Sequence, residues 1–168
     1  MNFLFKIKEH NRLLSTVIFT FFICSSFISD VENKYKCMLQ LINYSGEGAY
    51  IVVSIIDQKN DYKKTLKVLG HDDEWYPDIS KWYPYYLKNS KEMDGITSAT
   101  ISGGERTIFS FDIDEKYFDG NHNLRFETAV EDQKYEFDDL NLNLKKTSIT
   151  GQHSGSAYIR YVKIIKNN

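Results

Sequence analysis

The residues best suited to chemistry in this sequence lie in the stretch 93–100 (MDGITSAT), which places one carboxylate and two threonine hydroxyls among small residues. Small side chains allow another molecule to approach the backbone closely. A threonine hydroxyl in such a segment can accept a covalent modification, with Asp94 holding the turn. It can equally be an ordinary turn residue that leads into a strand. The residues alone leave both interpretations open.

The histidines do not indicate a metal site or an acid–base site. His71, His122 and His153 fall in predicted loops, and no pair has the HxH or HxxxH spacing. The sequence also lacks a CxxC pair, a P-loop and a GxSxG motif. A hydrolase needs a nucleophile beside a base, and no such pair is evident. We therefore predict no metal ligands and no catalytic residues, and expect a carrier or binding protein rather than an enzyme in its own right.

The acidic residues have simple structural interpretations. Asp72, Asp73 and Glu74 follow one another directly, which is typical of a solvated loop. Asp138 and Asp139 lie on a predicted strand and are expected at its surface. The net charge is −2, so the chain has no basic footprint that would indicate a nucleic-acid partner.

The N-terminus is typical of an export signal. Lys6, Lys8 and Arg12 precede the almost uncharged segment 13–28. That segment is shorter than the roughly 20 apolar residues of a membrane-spanning helix and fits the apolar part of a secretory signal. We predict that residues 1–29 are a signal peptide, with an uncleaved N-terminal anchor as the alternative. The protein is then periplasmic, or membrane-anchored and facing outside the cytoplasm.

The two cysteines give no sign of a disulfide or a lipid anchor. Phe22 and Ile23 precede Cys24, whereas small residues normally precede a lipid-modified cysteine. If Cys24 leaves with the signal, Cys37 has no partner for an internal disulfide. We expect Cys37 to be a buried apolar residue in a strand.

Alternation of apolar and polar residues predicts about seven strands and little helix. The predicted strands are 37–44, 49–57, 62–69, 106–113, 123–131, 135–144 and 157–166. This pattern predicts an all-β fold, an antiparallel β-sandwich in which residues 30–168 form a single domain.

One long aromatic connection interrupts the strands between residues 71 and 104. Trp75, Ile79 and Trp82 have helical spacing and are expected to pack against the sheet as a short helix or a pair of turns. A helix that starts near Pro77 should be disturbed at Pro84. The neighbouring tyrosines cannot all face inward, so some should form an aromatic surface suited to a flat ring or a sugar. Long connections in compact domains are often functional.

The segment DGITSAT resembles the flavinylation motif, in which a dedicated flavin transferase attaches FMN through its phosphate to the last threonine. The resemblance maps these motif positions onto the sequence: Asp94, Gly95, Thr97, Ser98, Ala99 and the acceptor Thr100. Ser98 stands where the motif usually has glycine. The resemblance implies a covalent FMN on Thr100, with Trp75, Trp82 or neighbouring tyrosines against its ring.

The order of segments is similar to that of the predicted periplasmic proteins of domain-of-unknown-function family 2271. The similarity covers residues 35–166, and its segments are LKVLG (66–70), WYPDISKW (75–82), DGITSAT (94–100), TIFSFDID (107–114) and NLRFETAVE (123–131). The C-terminal half of that family resembles the Ig-like domain of flagellar hook-cap proteins. In its hairpin signature, Phe111-Asp112 stands for a Trp-Asp pair and Asp119-Gly120 for a turn.

The family resemblance implies an Ig-like sandwich with an extracytoplasmic redox role. It implies an electron carrier whose partners are a flavin transferase and a membrane-embedded reductase-type protein. The alternative is a cofactor-free Ig-like binding or assembly module of the cell envelope, whose exposed tyrosines bind a protein or a glycan.

Overall fold

The computed structural model describes residues 32–93, 95–147 and 149–167, and within them the chain forms two β-sheets. The nine strands of these residues are β1 (Glu32–Leu41), β2 (Tyr50–Asp57), β3 (Tyr62–Leu69), β4 (Thr97–Ser98), β5 (Arg106–Asp114), β6 (His122–Ala129), β7 (Glu136–Asn143), β8 (Gly151–His153) and β9 (Ile159–Lys166). The predicted signal or anchor, residues 1–29, lies outside the described residues. None of the helices within the described ranges has the length and apolar character needed to cross a membrane.

The two sheets form a β-sandwich, which confirms the predicted all-β fold class. The first sheet has the strand order β5-β1-β9-β8, and the second has the order β4-β3-β2-β6-β7. All neighbouring strands are antiparallel except β3 and β4, which run parallel. Each of the seven predicted strands overlaps an observed one. The two additional strands, β4 and β8, lie in segments that were predicted to be a turn and a loop.

The main core lies between the two sheets and follows the alternation along each strand. In β1, Tyr35, Cys37, Leu39 and Leu41 are buried in this core, while the intervening residues face outward. Cys37 is a free thiol, and burial raises its pKa to about 12. It therefore stays protonated and behaves as a small apolar side chain, as predicted.

Strand β2 is buried on both faces, which explains its continuous apolar run. Ile51, Val53 and Ile55 belong to the core between the sheets. Val52 points to the other side and belongs to a second buried cluster, formed with the aromatic connection. The connection is thus a third layer over the outer face of the second sheet.

The aromatic connection folds as a 3₁₀ turn (Asp73–Asp78) followed by helix α1 (Tyr83–Asn89). The side chain of Asp72 caps the first turn by accepting a hydrogen bond from the backbone N–H of Glu74 at 3.2 Å. Pro84 lies in the first turn of α1. No continuous helix runs from Pro77 through Pro84, as predicted. Pro84 instead lies at the start of α1, where a proline loses no helical hydrogen bond and its fixed φ suits the helix.

Trp82 fixes this layer to the sheet. Its side chain is completely buried, and its Nε1–H donates a hydrogen bond of 2.9 Å to Oγ1 of Thr65 in β3. The rings of Tyr76 and Tyr86 lie 5.1 and 5.2 Å from it, centre to centre. The hydroxyl of Tyr76 donates to the carbonyl of Gly70 at 2.9 Å. These contacts make the connection a packed part of the domain.

We expect Thr65→Val to lower the free energy of unfolding by about 1–3 kcal/mol, because the buried Nε1–H of Trp82 then loses its acceptor. Thr128→Val is a matched control in the same sheet. The Oγ1 of Thr128 is buried and has no hydrogen-bond partner among the described residues. Urea denaturation should therefore show no loss, or a small gain, for Thr128→Val. Equal losses in the two variants would contradict this account of Trp82.

Asp139 differs from its predicted surface position. It is 1% exposed, and its carboxylate accepts hydrogen bonds from the backbone N–H groups of four consecutive residues, 156–159. Asp138, its neighbour in β7, is exposed as predicted. Asp139 can be buried because its charge is satisfied by these donors. It holds the segment between β8 and β9 against β7.

Candidate functional site

The backbone around Thr100 is held on both sides. Before it, strand β4 pairs with β3, and the N–H of Gly70 donates to the carbonyl of Ser98 at 2.6 Å. After it, Ile101 and Ala49 exchange two backbone hydrogen bonds of 2.7 and 3.3 Å. Thr100 therefore lies in a short segment between two fixed points, and its position is set by the sandwich.

The side chain of Thr100 packs directly on Gly48. A Cβ atom at position 48 would lie 2.5 Å from Oγ1 of Thr100 and 2.8 Å from its Cβ. Such distances are too short for any side chain, so only glycine at position 48 leaves room for this threonine. Thr100 itself is half-buried. Thr100 therefore has a defined place beside Gly48, with part of the residue open to solvent.

Thr100 lines a cleft of about 140 Å3 on the side of the aromatic connection. The residues that line it come from four separate parts of the chain: Glu47, Gly48, Tyr50, Trp75, Asp78, Thr100, Ala129, Val130 and Glu131. Clefts that enclose a drug-sized ligand usually have volumes of roughly 300–1,000 Å3. This cleft can cover part of a flat molecule but cannot enclose one.

The polar lining of the cleft is acidic. Glu47, Asp78 and Glu131 each contribute a carboxylate. Burial, and then the negative charges of Asp72 and Glu131, raise the pKa of the Tyr50 phenol above its ordinary value. The cleft therefore favours neutral or cationic groups over anionic ones.

The predicted site residues divide into those near the cleft and those elsewhere. Trp75 is half-buried and lines the cleft together with Thr100. Ala99 is exposed. Gly95 has a φ of +85°, and a Cβ there would meet no atom within 4 Å, so the turn is open to an approaching molecule. Asp94 lies outside the described residues.

Thr97, Ser98 and Trp82 have structural surroundings. Thr97 and Ser98 are half-buried in β4, where their register partners in β3 are Val68 and Leu69. Trp82 is fully buried in the cluster beneath the connection and does not line the cleft. Of the two predicted tryptophans, the structure brings only Trp75 to Thr100.

The tyrosines of α1 are less exposed than the aromatic surface we expected. Tyr83, Tyr85 and Tyr86 are all half-buried against the second cluster. The hydroxyl of Tyr85 donates to the carbonyl of Lys63, and that of Tyr86 donates to Asp73. Their rings therefore pack mainly within the protein.

The described residues contain no group of three or more His, Cys, Asp or Glu side chains placed to hold a metal ion. The predicted loop positions of two histidines are corrected. His122 begins β6 and His153 ends β8.

Sequence reasoning missed the far side of the cleft. Tyr50, Ala129 and Val130 lie in the predicted strands 49–57 and 123–131, and Gly48 comes just before the first of them. These residues are distant from Thr100 in sequence, and no local pattern connects them with it. Only the folded sheet, in which β2 pairs with β6, brings them together.

Comparison of the chain with models of known protein families identifies its family. The model of the family described as "Predicted periplasmic protein (DUF2271)" matches residues 32–161, which is most of the chain. The chain belongs to this family. Membership agrees with the export predicted from the N-terminus, and the protein is exported, either periplasmic or membrane-anchored facing outside the cytoplasm. No curated protein and no solved structure matches the chain.

Proposed function

We propose that this DUF2271 protein is an extracytoplasmic electron carrier with FMN covalently attached to Thr100. The observation that carries the proposal is the position of Thr100. This residue is half-buried and lines the same cleft as Trp75, in a segment held at both ends by backbone hydrogen bonds. Its partners would be a flavin transferase, which installs the cofactor, and a membrane redox protein, which exchanges electrons with it.

Attachment requires an activated flavin donor, and a flavin adenine dinucleotide has the right chemistry. The Oγ1 of Thr100 forms a bond to the phosphorus on the flavin side. The bond between that phosphorus and the bridging oxygen breaks, and adenosine monophosphate leaves with the electron pair. The hydroxyl proton passes to a base of the transferase. The described residues that flank Thr100 suit this step, because Ala99 is small and the turn at Gly95 is open.

The shape of the cleft favours a tethered cofactor over a freely bound one. A cleft of about 140 Å3 buries too little surface to hold a flavin by contact alone. A covalent bond to Thr100 removes the need for high affinity, because it keeps the ring next to the cleft at high effective concentration. Trp75 and Tyr50 supply aromatic side chains there.

When bound, the flavin supplies the capacity to accept and release electrons. The protein's own residues determine where this happens and how favourable it is. Trp75 and Tyr50 line the cleft and would cover part of a flavin ring held there. Glu47, Asp78 and Glu131 place negative charge around the cleft, so electron uptake there is disfavoured and the reduction potential is lowered.

A labelling experiment tests the proposal. The chain is expressed with a flavin transferase and exported, and in-gel flavin fluorescence is measured. We expect fluorescence in the wild type and in Thr100→Ser, which keeps a hydroxyl, but less than about 5% of it in Thr100→Val. Ser102→Val is the matched control, because Ser102 is an exposed hydroxyl residue two positions after Thr100 and lies outside the motif. It should retain most of the label.

Loss of label in both valine variants would indicate a damaged segment rather than a lost acceptor. Label that persists in Thr100→Val would place the acceptor elsewhere. The second result contradicts the proposed site.

The acidic lining of the cleft favours a second candidate, a cofactor-free binding module of the cell envelope. Glu47, Asp78 and Glu131 would attract a cationic partner segment, and Trp75 would pack against it. This candidate predicts an unlabelled wild type in the experiment above. It also predicts that Glu131→Gln weakens partner binding, whereas the carrier function predicts a raised reduction potential for that variant.

A further inference from the structure

The outer face of the first sheet carries an apolar strip flanked by lysines. The register places Ile108 of β5, Met38 of β1 and Lys163 of β9 side by side. In the next row, Lys36 of β1 is the register partner of Ile165 in β9. These five residues line one shallow depression of about 210 Å3, and we call them the lysine-flanked patch.

The apolar side chains of this patch are unusually exposed. Ile108 is 52% exposed and Ile165 is 47% exposed, and both are among the few large hydrophobic side chains of the described residues that face solvent. Met38 lies half-buried between them. Single exposed apolar residues are common, but a contiguous set on one sheet face is typical of a contact surface.

Charge is distributed unevenly on this face. Lys36 and Lys163 belong to the patch, and Lys34 and Arg106 lie on the same face at its two ends. Asp112 is the register partner of Lys34. The face is therefore mainly cationic in a protein whose net charge is −2, and the carboxylates of the Thr100 cleft lie elsewhere.

We propose that the lysine-flanked patch binds the anionic headgroups of a phospholipid membrane. Ile108, Met38 and Ile165 would enter the headgroup region, while the ammonium groups of Lys36 and Lys163 would contact lipid phosphates. The depression is shallow and offers no deep site for an anchoring side chain of a protein partner. The periplasm is bounded by membranes, so an exported protein can reach a phospholipid surface. This inference does not depend on a flavin at Thr100.

The experiment measures how the exported protein sediments with lipid vesicles. We expect it to bind phosphatidylglycerol vesicles and to bind phosphatidylcholine vesicles at least about tenfold more weakly, with a decrease as salt rises. Lys36→Glu/Lys163→Glu should reduce binding to phosphatidylglycerol by at least about twentyfold. The matched control is Lys59→Glu/Lys88→Glu, which changes the charge equally at exposed positions in the β2–β3 turn and in α1. It should change binding by less than about threefold.

A second variant tests the apolar part of the surface. Ile108→Ser leaves every charge in place and should weaken binding to phosphatidylglycerol by about threefold or more. Equal binding to the two lipids, or equal losses in the two double variants, would overturn the proposal. Binding to soluble polyglutamate without binding to vesicles would identify an acidic protein as the partner and would overturn it as well.

Discussion

Replacing Asp139 with asparagine is expected to lower the free energy of unfolding by about 3 kcal/mol or more. Each carboxylate oxygen of Asp139 accepts two backbone hydrogen bonds. The N–H groups of Ser156 and Ala157 donate to Oδ1, and those of Tyr158 and Ile159 donate to Oδ2. The four distances lie between 2.8 and 3.1 Å. Asparagine keeps one acceptor oxygen and turns the other into a donor, which would face two N–H groups.

The size of this effect follows from burial. Asp139 is 1% exposed, so the displaced N–H donors cannot turn to water without opening the loop. A buried donor left without a partner costs about 1–3 kcal/mol, and two are affected here. The segment they belong to leads directly into β9, the strand next to β1 in the first sheet. The loss should therefore reach the whole domain.

Urea denaturation of the exported protein, followed by tryptophan fluorescence, measures the effect. Asp138→Asn is the matched control, because it makes the same substitution one position earlier on the exposed side of β7. Asp138 accepts a single side-chain hydrogen bond, from Asn141 at 2.8 Å. Its variant should lose less than about 1 kcal/mol. Similar losses at the two positions would contradict the role assigned to Asp139.

Replacing Arg125 with methionine is expected to lower stability by about 3–5 kcal/mol at neutral pH, because it leaves a buried carboxylate without its cation. Glu127 is completely buried, and Arg125 is 2% exposed. The guanidinium of Arg125 lies 3.4 Å from the Glu127 carboxylate and 4.8 Å from the ring centre of Tyr62. The hydroxyls of Tyr62 and Tyr135 both donate to the same carboxylate.

The loss should depend on pH in a defined direction. Burial raises the pKa of Glu127 above its ordinary value of 4.5, while the charge of Arg125 opposes that rise. Because ionisation is then easier in the unfolded state, the raised pKa costs stability at pH values above the folded pKa. The cost disappears below 4.5, where Glu127 is protonated in both states. Removing Arg125 raises the pKa of Glu127 in the folded state further. The variant's loss of unfolding free energy should therefore be largest at pH 7.5 and smaller at pH 5.

Denaturation curves of the wild type and Arg125→Met at pH 7.5 and pH 5 check this expectation. The deficit should shrink by at least about 1 kcal/mol at the lower pH. Arg106→Met is the control, since Arg106 is exposed in β5 and pairs with Gln40 at 3.0 Å. It should cost less than about 1 kcal/mol at both pH values. A deficit for Arg125→Met that grows on acidification would contradict the proposed state of Glu127.

Both effects concern polar residues whose burial the sequence does not indicate. Alternation in β6 correctly turns Arg125 and Glu127 away from the main core. They are nevertheless buried, because Tyr62 and Tyr135 approach from outside the strand and cover them. Asp139 likewise alternates outward and is buried by the loop that its own carboxylate orders. Burial of this kind depends on long-range contacts that no local pattern contains.

The strands themselves were predictable where they are long. Strands β2, β3 and β9 carry enough β-branched or alternating residues for their existence to be clear from the sequence. Strands β4 and β8 contain two and three residues, so they carry no periodicity and depend on a neighbouring strand for their form. Pro84 interrupts the helical segment as predicted, but the sequence did not show that it also lies at the start of a second helix.

The candidate site shows the same division between local and long-range information. The motif from Asp94 to Thr100 can be recognised in the sequence, and so can the aromatic connection before it. The cleft cannot, since Tyr50 and Glu131 reach Thr100 through the pairing of the second sheet, and Gly48 reaches it through the hydrogen bonds between Ala49 and Ile101. The fold also separates the two tryptophans, since Trp75 lines the cleft and Trp82 is buried beneath the connection.

Peptide mass spectrometry of the exported protein tests the central claim most directly. The protein is recovered from cells that also produce a flavin transferase, digested, and the peptide containing Thr100 is fragmented. We expect that peptide to carry the mass of one FMN joined through a phosphodiester, with the fragments placing it on Thr100. An unmodified Thr100 peptide, or the same mass on Thr97 or Ser98, would contradict the claim that Thr100 is the attachment site.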